Sequence, residues 1–122
     1  MKVLSKRDIG RIAEEKARDH IIKLGYKILD SNWHFGHLEL DIIAKDKDQL
    51  VIIEVKSRSD IRYEHPSEAV TDRKIKFIVE AAEAYIFEKD MKLDTRFDVI
   101  TVIFLNGDFE LEHFVDAFYP MP

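Results

Sequence analysis

Apolar positions at Ile9, Ile12, Ala13, Ala17, Ile21 and Leu24 recur at helical spacing and predict a first helix. Ser5 followed by Asp8 suits its N-cap, and Gly25 suits its stop. The period then shortens to that of strands. Tyr26 to Trp33 reads as a strand with Ile28 and Leu29 inside it, and His34-Phe35-Gly36-His37 as a turn. Two β-branched runs follow, Glu39 to Ala44 and Leu50 to Lys56. The polar stretch Lys45-Asp46-Lys47-Asp48-Gln49 joins them as an antiparallel hairpin with a loop from Asp46 to Gln49. Helical spacing returns after Thr71, a second cap, with Ile75, Ile78, Val79, Ala82, Tyr85 and Ile86 as the apolar stripe of a helix from Asp72 to about Lys89. Thr95 to Leu105 is the longest apolar strand, Asn106-Gly107 a hairpin signal, and Asp108 to Phe114 an edge strand. The predicted order is α-β-β-β-α-β plus an added strand: an α/β chain with a mixed sheet flanked by helices.

Charges inside the apolar runs change this picture. Residues two apart on a strand share a face, so Glu39 goes with Asp41 and Glu54 with Lys56. The hairpin sets Lys45 opposite Leu50, hence Asp41 opposite Glu54 and Glu39 opposite Lys56. Two carboxylates and an ammonium would then share one patch beside a hydrophobic sheet. Carboxylates so placed repel unless something neutralises them, and a divalent cation does so. The other reading of the residues is an ion cluster that only specifies register.

At 122 residues the chain, 1–122, makes one domain. It has no cysteine, which excludes disulfides, zinc–thiolate sites and thiol nucleophiles. Its start carries charges with no apolar run behind them, and no apolar run reaches spanning length, so a cytoplasmic protein without a membrane partner is expected. The net charge of −5 argues against a non-specific nucleic-acid coat, but leaves room for a locally basic binding face.

Other residues have an ordinary and a functional reading. Glu14 reads as a solvated helix glutamate like Glu15, and Gly10 as a place for close backbone approach. His34 and His37 read as turn residues or substrate contacts, since magnesium-preferring oxygen sites rarely need imidazole. Arg58 and Arg62 lie in a polar loop that is either an ordinary charged loop or a phosphate holder. Arg73 and Lys74 sit at a helix N-terminus, where cations oppose the macrodipole, and so read as either a solvated face or a contact with a polyanion. The apolar tail Phe114, Phe118, Tyr119, Pro120 and Met121 suits either a homodimer interface or a fold-back over its own sheet.

Asp41 followed by Glu54-Val55-Lys56 resembles the active-site signature of the PD-(D/E)XK nuclease superfamily. More of the chain resembles the YraN-like family of small uncharacterised bacterial proteins: Gly10-Arg11-Ile12-Ala13-Glu14, Gly25-Tyr26-Lys27-Ile28-Leu29, Asn32-Trp33, Glu39 to Ala44, Glu54 to Arg58, Glu68-Ala69-Val70 with Lys74, and Arg96-Phe97-Asp98-Val99-Ile100. It is similar, more distantly, to archaeal Holliday-junction resolvases. The resemblance implies a restriction endonuclease-like core and a Mg²⁺- or Mn²⁺-dependent endonuclease acting on DNA, structured or branched. Asp41, Glu54 and the carbonyl of Val55 would be metal ligands, and Lys56 would act on the attacking water or the developing charge. Glu14, at the position of a first-helix glutamate, would bind a second metal or hold a water, and Glu39 would support from behind. Arg58, Arg62, Arg73 and Lys74 would meet DNA. Leu38 stands where the family carries glycine, and its Cβ is expected to narrow the approach of a nucleic-acid backbone. The alternative is a catalytically weak or inactive nuclease-fold module that binds nucleic acid or a protein partner.

Overall fold

The computed structural model describes residues 4–59 and 70–120. Helix α1 spans Lys6–Lys23, strands β1, β2 and β3 span Lys27–Phe35, Leu38–Asp46 and Gln49–Ser59, helix α2 spans Asp72–Lys89, and strands β4 and β5 span Asp94–Leu105 and Asp108–Phe118. The expected order of elements is therefore found among the described residues.

Local chemistry sets the boundaries. Ser5 and Asp8 close a reciprocal capping box at the start of α1. Gly25, at φ 94°, takes the chain out of that helix in a conformation other residues avoid. The Thr71 hydroxyl accepts the Lys74 amide at the start of α2. No helix among the described residues is long and apolar enough to cross a membrane.

The sheet is five-stranded in the order β1-β2-β3-β4-β5. Neighbours are antiparallel except β3 and β4, which are parallel and joined through α2. Helices therefore cover both faces. Leu50 and Ile52 pack with Ile78, Ala82 and Tyr85 on the α2 side, while Val51 and Ile53 pack with Ala13, Ala17 and Ile21 on the α1 side. Burial on both faces explains why β3 reads as a continuous apolar run.

The β2–β3 register is the expected one, with Lys45 opposite Leu50. The loop is shorter than expected, because Asp46 and Gln49 also pair and Lys47 takes a positive φ of 54°. β1 likewise reaches Phe35, past the predicted turn residue His34. An added Cβ at Gly10 would meet nothing within 4 Å among the described residues, so none of their backbone approaches there. Phe114 and Phe118 pack on the α2-side core, Phe118 stacking on Phe97 at 5.2 Å. Tyr119 stays exposed, and Met121 lies outside the described residues.

Candidate functional site

Strand β2 turns over at Asp41. Leu38 and Leu40 face α2, whereas Ile42 and Ala44, of the same parity, face α1. The β1–β2 ladder skips the Asn32/Asp41 position, and Asn32 has a φ of 50°. The β2–β3 ladder is last paired at Ile42 and Ile53. One residue further on, Asp41 Oδ2 accepts the amide of Val55 at 2.8 Å. A strand residue's N–H and C=O leave from the same side, so the Val55 carbonyl also faces Asp41.

Glu54 lies beside this carboxylate, 5% exposed. Burial, and then the charge of Asp41 and the hydrogen bond to it, push its carboxyl up to about 9; Lys74 and Lys56 offset part of this. At neutral pH Glu54 therefore keeps its proton beside the Asp41 carboxyl. By strand parity Lys56 shares the α2-side face with Glu54 and stands next to Thr101 on β4. The Thr101 hydroxyl is buried without a hydrogen-bond partner among the described residues. A buried orphan of this kind is ordinarily met by water or ligand.

The turnover separates residues expected together. Glu39 falls on the α1 side, where it pairs with His34 at 2.9 Å instead of standing opposite Lys56. Glu14 reaches the same area from α1 and accepts a 2.7 Å hydrogen bond from Asn32. Burial, with the charges of Asp41 and Glu39, raises its pKa against the Asn32 bond and Arg18. Leu38 is buried in the α2-side core, so its side chain does not obstruct an approaching backbone. His37 sits edge-on to Phe77, 6.3 Å between ring centroids.

The basic residues are less uniform than expected. Lys74 acts on Glu54, whereas Arg73 lies over the Phe77 ring at 5.4 Å. Arg58 is exposed, binds the Ser57 carbonyl, and lines a cavity of about 300 Å³ with Lys6. Arg62 lies outside the described residues. Asn32 and Thr101 were not expected at the site. Asn32-Trp33 offered only family likeness as a signal, and Thr101 offered none.

Among the described residues, no three His, Cys, Asp or Glu side chains are grouped to hold a metal ion. Magnesium asks for less, because it keeps several waters and takes one or two carboxylates. Asp41, Glu54 and the Val55 carbonyl fit that demand, and the proton retained by Glu54 marks charge that a cation would neutralise.

A model of an uncharacterised protein family, UPF0102, matches residues 13–102. The chain is 45% identical over 112 residues to a UPF0102 protein of Parabacteroides distasonis, covering 92% of this chain and 93% of the relative. It is 42% identical over 113 residues to one of Phocaeicola vulgatus, covering 93% of each. A relative in Flavobacterium psychrophilum is 42% identical over 112 residues, covering 92% of this chain and 94% of its own length.

Proposed function

The chain belongs to the uncharacterised protein family UPF0102, and from that premise we propose that it is a metal-dependent endonuclease hydrolysing phosphodiester bonds in DNA, structured or branched DNA included. One observation carries the reading: Glu54 is buried against the Asp41 carboxylate, with Lys56 and Lys74 near enough to act on its charge. A fold needing only stability gains nothing from such a pair. The parallel β3–β4 pair crossed by α2 fits a restriction endonuclease-like core, as does the hairpin that carries both acids. The distant likeness to archaeal Holliday-junction resolvases belongs to the same proposal.

Hydrolysis forms a bond from water oxygen to phosphorus and breaks the bond to the leaving oxygen. The water must lose a proton, and the leaving oxygen must gain one. Asp41, Glu54 and the Val55 carbonyl would hold Mg²⁺ or Mn²⁺, which when bound supplies Lewis-acid neutralisation of the phosphoryl oxygens. The Val55 amide fixes Asp41 Oδ2, so this carboxylate keeps one orientation. Lys56, beside the unpartnered Thr101 hydroxyl, orients the attacking water, takes its proton or meets the developing negative charge. Glu14, steadied by Asn32, is set to hold a water at the α1 side or to bind a second metal.

The second reading is an inactive nuclease-fold module that binds nucleic acid or a protein partner. The acidic net charge of −5 favours it. Two experiments decide. Calorimetric titration with Mn²⁺ is expected to show binding that Asp41→Ala abolishes. Single-stranded, duplex, flap and four-way DNA are then incubated with Mg²⁺. Cleavage lost in Glu54→Gln supports the endonuclease. Metal binding without cleavage of any of the four leaves the module, and absence of metal binding at millimolar Mn²⁺ overturns the metal site.

A further inference from the structure

Helix α1 carries a stripe that the acidic pair does not use. Arg7, Arg11, Glu14 and Arg18 follow one another at spacings of four, three and four residues and so share one helical face. With Gly10 and Asn32 they line a cavity of about 690 Å³ on the α1 side of the sheet. Nothing within 4 Å among the described residues would meet a Cβ at Gly10, so their wall is open there.

The charges of the stripe have little structural use. Lys6 and Arg7 lie in the first turn, where cations oppose the helix dipole. Arg11 gives one N–H to Glu15 at 3.0 Å, an exposed pair of the kind that contributes little, and Arg18 stands 3.9 Å from Glu14, beyond hydrogen-bonding distance. The acids of the same cavity already have partners. Asp8 is bound into the capping box with Ser5, Glu39 to His34, and Glu14 to Asn32.

The α1 cavity sets Arg7, Arg11 and Arg18 among Asp8, Glu14 and Glu39, whereas a groove on the other side of the sheet is lined by acids with no lysine or arginine among the described residues. This groove of about 700 Å³ between the end of β1 and α2 is lined by Trp33, Phe35 and Phe87 together with Glu80, Glu83 and Glu88. A polyanion is repelled there, while at α1 it meets three arginines whose acidic neighbours already have partners.

We propose that Arg7, Arg11 and Arg18 form a track for the phosphodiester backbone of one nucleic-acid strand, which crosses the α1 face and passes the acidic pair at Glu14. The proposal rests on the endonuclease reading. Glu14 lies within the stripe and bonds Asn32, which stands across from Asp41 where the β1–β2 ladder is broken, so the strand is held on both sides of the point where it meets the site. Eleven residues of helix rise about 16 Å. At roughly 3.4 Å of axis per phosphate in one duplex strand, that length matches about five nucleotides. The track differs from the surface of Arg73 and Lys74 suggested by the sequence, because Lys74 serves Glu54 and Glu80, Glu83 and Glu88 of α2 line the acidic groove.

The test is fluorescence anisotropy with labelled duplex and single-stranded oligonucleotides in EDTA, over a series of salt concentrations, so that no cleavage intervenes. Each phosphate neutralised contributes about 0.9 to the slope of log affinity against log salt for duplex, and about 0.7 for a single strand. The combined Arg7→Gln, Arg11→Gln and Arg18→Gln variant is expected to lose about 2.7 of the duplex slope, or about 2.1 of the single-strand slope. The matching lysine variant is expected to restore most of the slope, which a merely structural effect would not do. Glu80→Gln with Glu83→Gln is expected to leave the slope unchanged. A wild-type slope that survives the triple glutamine change overturns the track and leaves the endonuclease standing. Wild-type protein that binds none of these oligonucleotides overturns the track, and with metal binding also absent it overturns the endonuclease.

Discussion

Two carboxylates lie deep in the same sheet and end with opposite character. Asp98 on β4 is wholly buried, and burial alone would push its pKa up. Donors from His113, Arg96 and the Asp116 amide outweigh burial and hold it below the usual range. Glu54, on the neighbouring strand, is almost as buried, and there burial, reinforced by the neighbouring Asp41 carboxylate where Asp98 finds donors, pushes its carboxyl up to about 9. The neighbour, not the depth, makes the difference. Around Asp98 every valence is met. Arg96 places all five N–H donors: two on Asp98, and one each on Asp46, Gln49 and Tyr26. His113 bonds Asp98 at 2.8 Å and His20 at 3.0 Å. A buried acid supplied with donors by its own chain is architecture. A buried acid facing an acid is unfinished until a proton or a cation arrives.

The largest effect should come from breaking the finished centre. Asp98→Asn leaves the buried Arg96 guanidinium without its main counter-charge, at a cost of about 3–5 kcal/mol by urea denaturation at pH 7. The pH dependence has a definite sign. A carboxylate with a lowered folded pKa contributes stability above its unfolded value of about 3.9, and that stability is lost as pH falls through the lower folded value. The gap between wild type and variant should therefore close in strong acid. A gap that stays constant to low pH would mean that Asp98 contributes through shape and not through charge.

The same substitution at the unfinished centre should do far less, and its pH trend should reverse. Glu54 carries its proton at pH 6, so Glu54→Gln replaces one neutral group by another, for a change of about 1 kcal/mol or less. Its folded pKa lies above its unfolded one, so the native state binds more protons across the window from about 4.5 to about 9. The stability contribution of Glu54 is present below that window and is lost as pH rises through it. Metal-free wild type should weaken from pH 6 to pH 9 relative to Glu54→Gln, read as urea midpoints in EDTA. Equal slopes for the two proteins would remove the distinction between the centres.

How much of this was legible in the sequence depended on how far each feature reached along the chain. The β2–β3 register could be read, because the polar stretch from Lys45 to Gln49 separates two apolar runs and the pairing is local. The turnover of β2 at Asp41 could not. Leu38, Leu40, Ile42 and Ala44 are all apolar, and a strand covered on both faces has no polar side to reveal where its parity changes. That concealed step is why Glu39 seemed to belong with Lys56 and instead meets His34. The Asp98 centre was hidden by distance, since Tyr26, Asp46 and His113 come to Arg96 and Asp98 from three other parts of the chain. The arginine stripe of α1 was present at plain helical spacing, but its meaning depended on the cavity behind it and on the acidic groove beside α2.

The smallest expected effect sharpens the comparison most finely. If Glu54 is unfinished, the cations near it should set where it titrates, and they should do so in order of influence. The sequence pairs Glu54 with Lys56, two residues along the same strand. In the folded chain Lys74, brought in by the first turn of α2, offsets more of the charge at Glu54 than Lys56 does. Removing either ammonium makes the ionised form of Glu54 less favourable, so its pKa rises in both Lys74→Met and Lys56→Met, and rises further in the first. The methionine chain keeps most of the apolar stem, so packing changes little in either variant. Side-chain carboxyl carbon shifts, followed by NMR through a pH titration in EDTA, read this directly. A larger rise in Lys56→Met would return the leading role to the residue the sequence suggests. No rise in Lys74→Met would show that α2 serves the acidic pair as cover alone, and that its N-terminal lysine is free to meet phosphate.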